Sequence, residues 1–384
     1  VSQTAWDRAT AGLTAPLAVV DLNAFDANAD DLVRRAAGTP IRLASKSLRC
    51  RALVERALAH EGFRGVMAYA VAEALWLVDN GVEDVFVAYP SVDRVALQRL
   101  RSDEHAARRI CVAIDSTEHV DLLAGIPGNE PVRVAVDVDA SLRVGPVHLG
   151  VRRSPLRTPK QAAAVARHAI RLGMQVVGVM FYDAQVAGMP DSRVLDAVKS
   201  RSMAQLRERR GPVVAAIRDA VDGHGAIEFV NGGGTGSLDL LHDDPVLTEL
   251  AAGSGLYGPG LFDGYRSFRP RHAAAYAIPV VRRPARSIAT GFSGGYHASG
   301  PADAKRLPTL VDRGLSLLRS EGAGEVQTPV RGSSAKDLRL GDRIWLRHAK
   351  AGELAERFDA FHLVRGDRYV EATPTYRGEG KNFG

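Results

Sequence analysis

The sequence predicts a TIM-type (β/α)8 barrel followed by a smaller, mainly β C-terminal domain, and three observations carry that prediction. Short apolar runs rich in Val, Ile and Ala alternate with amphipathic helical stretches from residue 16 to residue 260. The runs are continuous rather than alternating, as expected of strands buried on both faces. Eight or nine such β/α units fit the span, which suits a closed barrel. After Gly264 the texture changes to short alternating strands broken by Gly, Pro and Asp, placing the barrel at 21–264 and the β domain at 265–384. A doubly wound sheet is the rival that alternation alone leaves open.

The elements follow in order. "PLAVVDL" reads as a strand, and "AFDANADDLVRRAAG" as a helix that Gly38 can stop. "IRLAS", "GVMAYA", "DVFVAYP" and "RICVAID" are strands, alternating with helices "RALVERALAHEG", "AEALWLVDNG", "VDRVALQRLRS" and "STEHVDLLAGI". "VRVAVDVDA" is the next strand, followed by a polar, proline-containing loop, the helix "PKQAAAVARHAIRLG" and the strand "MQVVGVMFYD". A long helix over 195–222 precedes "AIEFVNGGG", and "GSGLYGPG" completes the run.

Composition narrows the function. Hydrophobic residues are 46% and charged residues 24%, ordinary for a globular enzyme. Two cysteines, Cys50 and Cys111, allow no disulfide framework and fit a reducing compartment. The opening "VSQTAWDRATAGLTAPLAVV" has no basic stretch leading into an apolar one, so a cytoplasmic protein without a secretory leader is expected. No apolar run approaches the ~18 residues of a membrane span. The net charge of +6 is spread over arginines interleaved with acids, with no nucleic-acid motif. Solvated helix faces account for it, and a basic mouth for a small anion is compatible with it.

Functional residues of a barrel gather at the C-terminal ends of its strands. Four polar groups fall there: Lys46 after "IRLAS", "DVDASLRVG" (137–145), Tyr182-Asp183, and "NGGGTGS" (231–237). The glycine run of "NGGGTGSLDLL" exposes backbone N–H groups, a cradle for phosphate or carboxylate. It lacks the Gly-Lys-Ser/Thr of a P-loop, and Ser237 stands where a dinucleotide fingerprint has its third glycine. A second glycine-rich end, "ELAAGSGLYG" (249–258), lies one unit further on. A phosphate cradle plus a strand-end lysine points to pyridoxal phosphate, whose aldehyde takes an amine and whose ring accepts electrons.

These pieces resemble the fold-type III pyridoxal phosphate enzymes, which have an alanine-racemase-like barrel, and within them the D-threonine aldolase and D-serine dehydratase branch. The matching segments are "PLAVVDLNAFDANADDL", "RLASKS", "VDVDASLRVG", "MFYDAQ", "NGGGTGS" and "ELAAGSGLYG", in order. The resemblance implies that Lys46 is the imine-forming lysine. It implies that Gly233, Gly234, Thr235, Gly253 and Ser254 hold the phosphate, that Arg143 sits near the cofactor's phenolic oxygen and that Tyr182 sits near its ring. It also implies that residues 1–20 pack with the C-terminal domain. Loops such as 291–308 and 375–382, with Tyr296, His297 and Tyr376, would complete a partner subunit's site in a homodimer.

One segment departs from the branch. Its members carry a metal pair, His followed two residues later by Asp or Cys, whereas this chain reads "RHAKAGE". His348 is a weak metal candidate, with Glu353 a possible companion. Lys350 stands in the second-ligand position, and its ammonium can supply positive charge where the branch has a metal. The expectation is a lyase acting on a D- or β-hydroxy amino acid, most simply by retro-aldol cleavage, with His348 or Tyr182 as the base. Dehydratase-like β-elimination and racemisation are the alternatives. A non-enzymatic cofactor carrier is the reading from another class, and the β domain counts against it.

Overall fold

Eight parallel strands, mostly apolar and mostly buried on both faces, close into a barrel that is covered inside and out. The computed structural model describes residues 3–384. They fall into two units, one built from 32–46, 57–253 and 383–384, the other from the stretches up to 31, 47–56 and 254–382. Residues 1 and 2, part of the N-terminal stretch expected to pack with the β domain, lie outside the described residues.

The first predicted strand, β1 (Leu17–Asp21), is a strand of the second unit. The barrel is made of β2 (Ile41–Ala44), β3 (Phe63–Ala68), β4 (Val85–Val87), β5 (Ile110–Ile114) and β6 (Arg133–Asp137), with three later strands. Between β6 and those lies a hairpin, β7 (Leu142–Val144) and β8 (Val147–Leu149), where the sequence suggested only a loop. The remaining barrel strands are β9 (Gln175–Phe181), β10 (Phe229–Gly232) and β11 (Glu249–Ala252). The closed order is β10-β11-β2-β3-β4-β5-β6-β9.

Local signals set the flanking helices. Thr158 caps helix Pro159–Arg171 by a reciprocal box with Gln161, and Pro159 occupies the first turn, where a missing N–H costs nothing. Ser116 caps Thr117–Ala124 through the N–H of His119. The interior alternates in tiers. Phe86, Cys111, Ala113, Ala135, Val177 and Phe229 form its apolar middle, with the rings of Phe86 and Phe229 5.2 Å apart. Gly178 is required there, since a Cβ would stand 2.2 Å from the Phe229 ring.

At the N-terminal end of the barrel, Arg42 is buried between two carboxylates. It donates to Glu249 at 2.7 and 2.9 Å and to Asp84 at 2.8 and 3.0 Å. Its guanidinium also lies 5.1 Å from the Phe229 ring centroid.

The second unit is a nine-stranded sheet that adds β12 (Ala274–Ala285), β13 (Ile288–Phe292), β14 (Thr309–Leu310), β15 (Leu315–Leu317), β16 (Gln327–Gly332), β17 (Arg343–Arg347), β18 (Ala360–Arg365) and β19 (Arg368–Pro374). In it β1 is central, antiparallel to β12 and parallel to β18. Its core is Trp6, Leu17, Val19, Ala275, Ala277, Trp345 and Val364, with the two indoles 5.2 Å apart.

Removing one partner of the buried Arg42 cluster should cost far more than removing both. Arg42→Ala leaves the Glu249 carboxylate buried and uncompensated, so urea unfolding should show a loss of about 3–5 kcal/mol. The double change Arg42→Met with Glu249→Leu should lose less than Arg42→Ala alone.

Candidate active site

Strand alternation decides which side chains reach the C-terminal mouth of the barrel. Ala113 and Ala135 belong to the interior, so Asp115 and Asp137, two residues on, point the same way. Lys46 follows β2 in a single 3-10 turn, Ser45–Ser47, whose first hydroxyl donates to the carbonyl of Met67 at 3.1 Å. Its amine is exposed and donates to the Tyr89 hydroxyl at 2.8 Å. The guanidinium of Arg153 lies 5.5 Å from the Tyr89 ring centroid and 5.0 Å from that of Tyr182. One mouth therefore gathers an amine, two phenols and a cation.

The glycine turn after β10 stands beside Tyr182. Gly233 is left-handed (φ 85°), and a Cβ there would meet Leu241 at 2.8 Å. A Cβ on Gly234 would stand 2.8 Å from Ala187 and 3.7 Å from the Tyr182 ring. Ser237 fastens the turn, its hydroxyl accepting from the Gly234 N–H at 3.1 Å. Buried Arg35 donates to the Thr235 carbonyl at 2.8 Å and pairs with Asp239. Beneath the turn Asp183 is fully buried, and burial pushes its carboxyl up despite Arg210 and the Ser237 hydroxyl. Gly253 follows β11 directly and ends the barrel unit, and Ser254 opens a 3-10 turn of the second unit.

Burial raises the Asp137 carboxyl to about 7; Asp115 adds to the shift and Arg153 opposes it. Asp115 is also pushed up by burial, against the pull of His119, whose Nδ1 is 2.9 Å from its carboxylate. Asp139 moves the other way: burial is outweighed by hydrogen bonds from Ser141 and by Arg157. Tyr182 is pushed up to about 12 by burial, so at neutral pH it is a neutral phenol. As a general base at that pH it would be poor.

Arg143 is placed differently from Arg153. It lies on the β7–β8 hairpin with a half-exposed side chain donating to Asp139 at 3.0 Å, its backbone bracketed by Gln205. Two arginines stand ten residues apart on the polar segment after β6, and the one over the tyrosine rings is Arg153. Tyr89, Arg153, Asp115 and Asp137 are the mouth residues that the motifs do not single out by name. The signal for the aspartates is the alternation through "CVAID" and "VAVD".

In the second unit, His348 follows β17 and is buried beside Tyr257, ring edge to face at 6.1 Å. Burial, with Arg347 beside it, drives the imidazole down to about 3, and neither nitrogen has a well-formed hydrogen bond. Lys350 donates to the Ser299 hydroxyl at 2.6 Å, and the Ser299 N–H donates to Glu353 at 3.0 Å. These donors do not fit a divalent ion: Lys350 can only donate, and among the described residues no three His, Cys, Asp or Glu side chains gather for one. Tyr296 stacks on Tyr276 at 4.9 Å, His297 contacts the Gly295 carbonyl at 3.2 Å, and Tyr376 is buried with its N–H on the Arg49 carbonyl. Among the described residues no helix is long and apolar enough to cross a membrane.

Pyridoxal phosphate fits the barrel residues. A primary amine, a turn that excludes Cβ atoms and a nearby guanidinium are the donor set that a phosphorylated aldehyde requires. Comparison with known proteins agrees with that fold. A D-threonine aldolase from Arthrobacter sp is 27% identical over 282 residues, 70% of this chain and 69% of that protein. The crystal structure of D-threonine aldolase from Filomicrobium marinum superposes with a TM-score of 0.80 at 23% identity, covering 94% of this chain and 95% of its own. D-threo-3-hydroxyaspartate dehydratase from Delftia sp. HT23 gives 0.77 at 19% identity, covering 94% and 97%. The sequence profile described as alanine racemase, N-terminal domain, matches residues 20–259, and the chain belongs to that family.

Proposed function

We propose that the chain is a pyridoxal-phosphate-dependent lyase that cleaves a β-hydroxy D-amino acid by a retro-aldol reaction. The observation that carries the reading is the exposed Lys46 amine, hydrogen-bonded to Tyr89 at the mouth that also holds the Gly233–Gly234 turn. The similarity to D-threonine aldolase supports the choice of substrate class. When bound, the cofactor supplies an aldehyde for an amine and a ring that takes up the electrons of the broken Cα–Cβ bond.

The chain's residues do the rest. Gly233, Gly234, Thr235, Gly253 and Ser254 would hold the phosphate, with Arg35 and Ser237 fixing the first turn. Lys46 would hold the cofactor through its aldehyde, with Tyr89 orienting the amine. Arg143, paired with Asp139, is assigned the cofactor's phenolic oxygen, and Arg153 over the Tyr182 ring offers a second cation for an oxyanion. Tyr182 flanks the ring as a neutral phenol. His348 is the residue this reading assigns the β-hydroxyl proton: burial keeps its imidazole neutral, but at about 3 it is only weakly basic until a bound group raises it. Lys350 supplies the positive charge that steers a hydroxyl or carboxylate. β-Elimination of water would use the same groups and differ in the bond broken. A homodimer in the cytoplasm completes the reading.

Lys46→Ala should abolish the visible band that the wild type gains with pyridoxal phosphate and lower turnover by at least about 10²–10⁴-fold. With D-threonine the products should be glycine and acetaldehyde; a keto acid and ammonia would instead select elimination. No visible band in the wild type would defeat the cofactor assignment. Exhaustive dialysis against a chelator should leave turnover unchanged, and full loss restored by a divalent ion would overturn the role given to Lys350.

His348 also sets an acid limit. Its imidazole titrates near 6.5 when unfolded and about 3 when folded, so its stabilising contribution is present above pH 6.5 and is lost as pH falls toward 3. The loss should approach about 1.4 kcal/mol per pH unit within that window. In chelator-treated protein, His348→Gln should flatten the fall of Tm between pH 6.5 and 4. A residual slope should come from His272, which burial lowers to about 4.

A further inference from the structure

Two carboxylates stand on adjacent strands at the barrel mouth, His119 beside one and Arg153 acting on the other. In the parallel ladder Ile114 pairs with Val136, so the next residues, Asp115 and Asp137, are neighbours on adjacent strands. Both are buried, at 8% and 6% exposure, and both continue the inward-facing positions of Ala113 and Ala135. The strand order sets them against Lys46: β2 and β6 are separated by three strands in either direction, so they are opposite walls of the barrel.

We infer that Asp115 and Asp137 act as one acid, a carboxyl pair that holds a single proton in common and faces Lys46 across the mouth. The inference rests on the reading of that mouth as the active site. Two buried like charges on neighbouring strands cannot both ionise cheaply, so one proton stays. The surrounding charges suit that state. From the helix after β5 come His119, paired with Asp115, and exposed Glu118. From the segments after β6 come Asp139, already bonded by Arg143 and Arg157, and Arg153, which faces Asp137. Tyr89 after β4 and Tyr182 after β9 flank the pair on either side, and Lys46 lies across the mouth. A pair carrying one proton has a charge of minus one, which Arg153 balances. With the proton gone, a second buried negative charge appears.

The pair gives the site a second proton-handling group, on the wall opposite Lys46. Passing its proton to a bound amino acid breaks one carboxyl O–H bond and leaves both carboxylates ionised beside Arg153. Half-buried His119 connects Asp115 to solvent, from which the proton returns. The Asp137 midpoint of about 7 lets the pair act in both directions near neutrality.

The test uses the full chain with Asp137→Asn and Asp115→Asn, each nearly isosteric and each checked for an intact thermal transition. Carboxyl 13C NMR of the cofactor-free protein, labelled at aspartate, should show one carboxyl of the pair titrating near neutrality. Asp115→Asn should lower the Asp137 midpoint, since a like charge is removed. Ordinary midpoints for both carboxyls in the wild type, or no movement in Asp115→Asn, would overturn the shared proton. In the loaded enzyme, Asp137→Asn should lower kcat by about 10²-fold with KM little changed, and should erase the limb of the kcat/KM profile near pH 7. An unchanged profile with the NMR titration as expected would refute the pair's part in the reaction. If the wild type shows neither a cofactor band nor turnover, the proposed function fails while the NMR result still decides the pair.

Discussion

The barrel closes at one seam, and the site depends on that closure. Glu249–Ala252 pairs in parallel with Ile41–Ala44, Leu250 against Ile41 and Ala252 against Leu43. Because the first strand of the chain lies in the other unit's sheet, no other pairing can close the ring. Arg42 rivets the seam from inside, bonding Glu249 on the neighbouring strand, while Asn231 of β10 donates to the same carboxylate at 2.8 Å. The register then fixes the other end of those strands. Lys46, the end of β11 at Gly253 and the glycine turn of β10 emerge as neighbours from three consecutive strands. A slip of one residue would turn the interior positions outward and separate the amine from the turns.

Charge is buried at both ends of this barrel, with opposite meaning. At the N-terminal end Arg42 meets Glu249 and Asp84 in good geometry, and Arg109 and Arg133 pair with Glu83 and Glu228 around it. Each of these charges has an opposite neighbour. At the C-terminal end Asp115 and Asp137 face one another and Asp183 lies buried under the turn, so desolvation is left partly uncompensated. Folding tolerates such strain where chemistry uses it. The apolar middle tier, small at Ala113 and Ala135 and large at Phe86 and Phe229, keeps the two polar ends apart.

How much of this was legible differs from residue to residue. The closed barrel follows from continuous apolar strands, and the capping box at Thr158 can be read directly from Thr-Pro-x-Gln. Lys46 and the Gly233–Gly234 turn were visible because strand ends and glycine runs are local signals. Tyr89 was not, since a tyrosine after "VFVA" reads as one more apolar strand residue. The resemblance named Arg143, whereas Arg153, further along the same polar segment, is the arginine that lies over the Tyr89 and Tyr182 rings. The alternation running into Asp115 and Asp137 was present, but its meaning needed the register of two strands. Tertiary pairing, not propensity, carried that information.

The second unit shows a related economy in the "HAK" segment. Ser299 holds both of its nearby ions, accepting from Lys350 through its hydroxyl and giving its N–H to Glu353. The ammonium and the carboxylate are thereby positioned by one residue between them. His348 is treated differently: burial beside Arg347 makes the cationic form costly, so the imidazole stays neutral. On the proposed reading the two act together, the imidazole taking a hydroxyl proton only once a bound group raises it from about 3, the ammonium stabilising the oxygen left behind. A carboxylate in place of Lys350 would reverse that logic, because a buried neutral imidazole and an anion together call for a cation from outside. On the proposed reading Lys350 supplies the positive charge locally, so it is the residue on which the metal question turns.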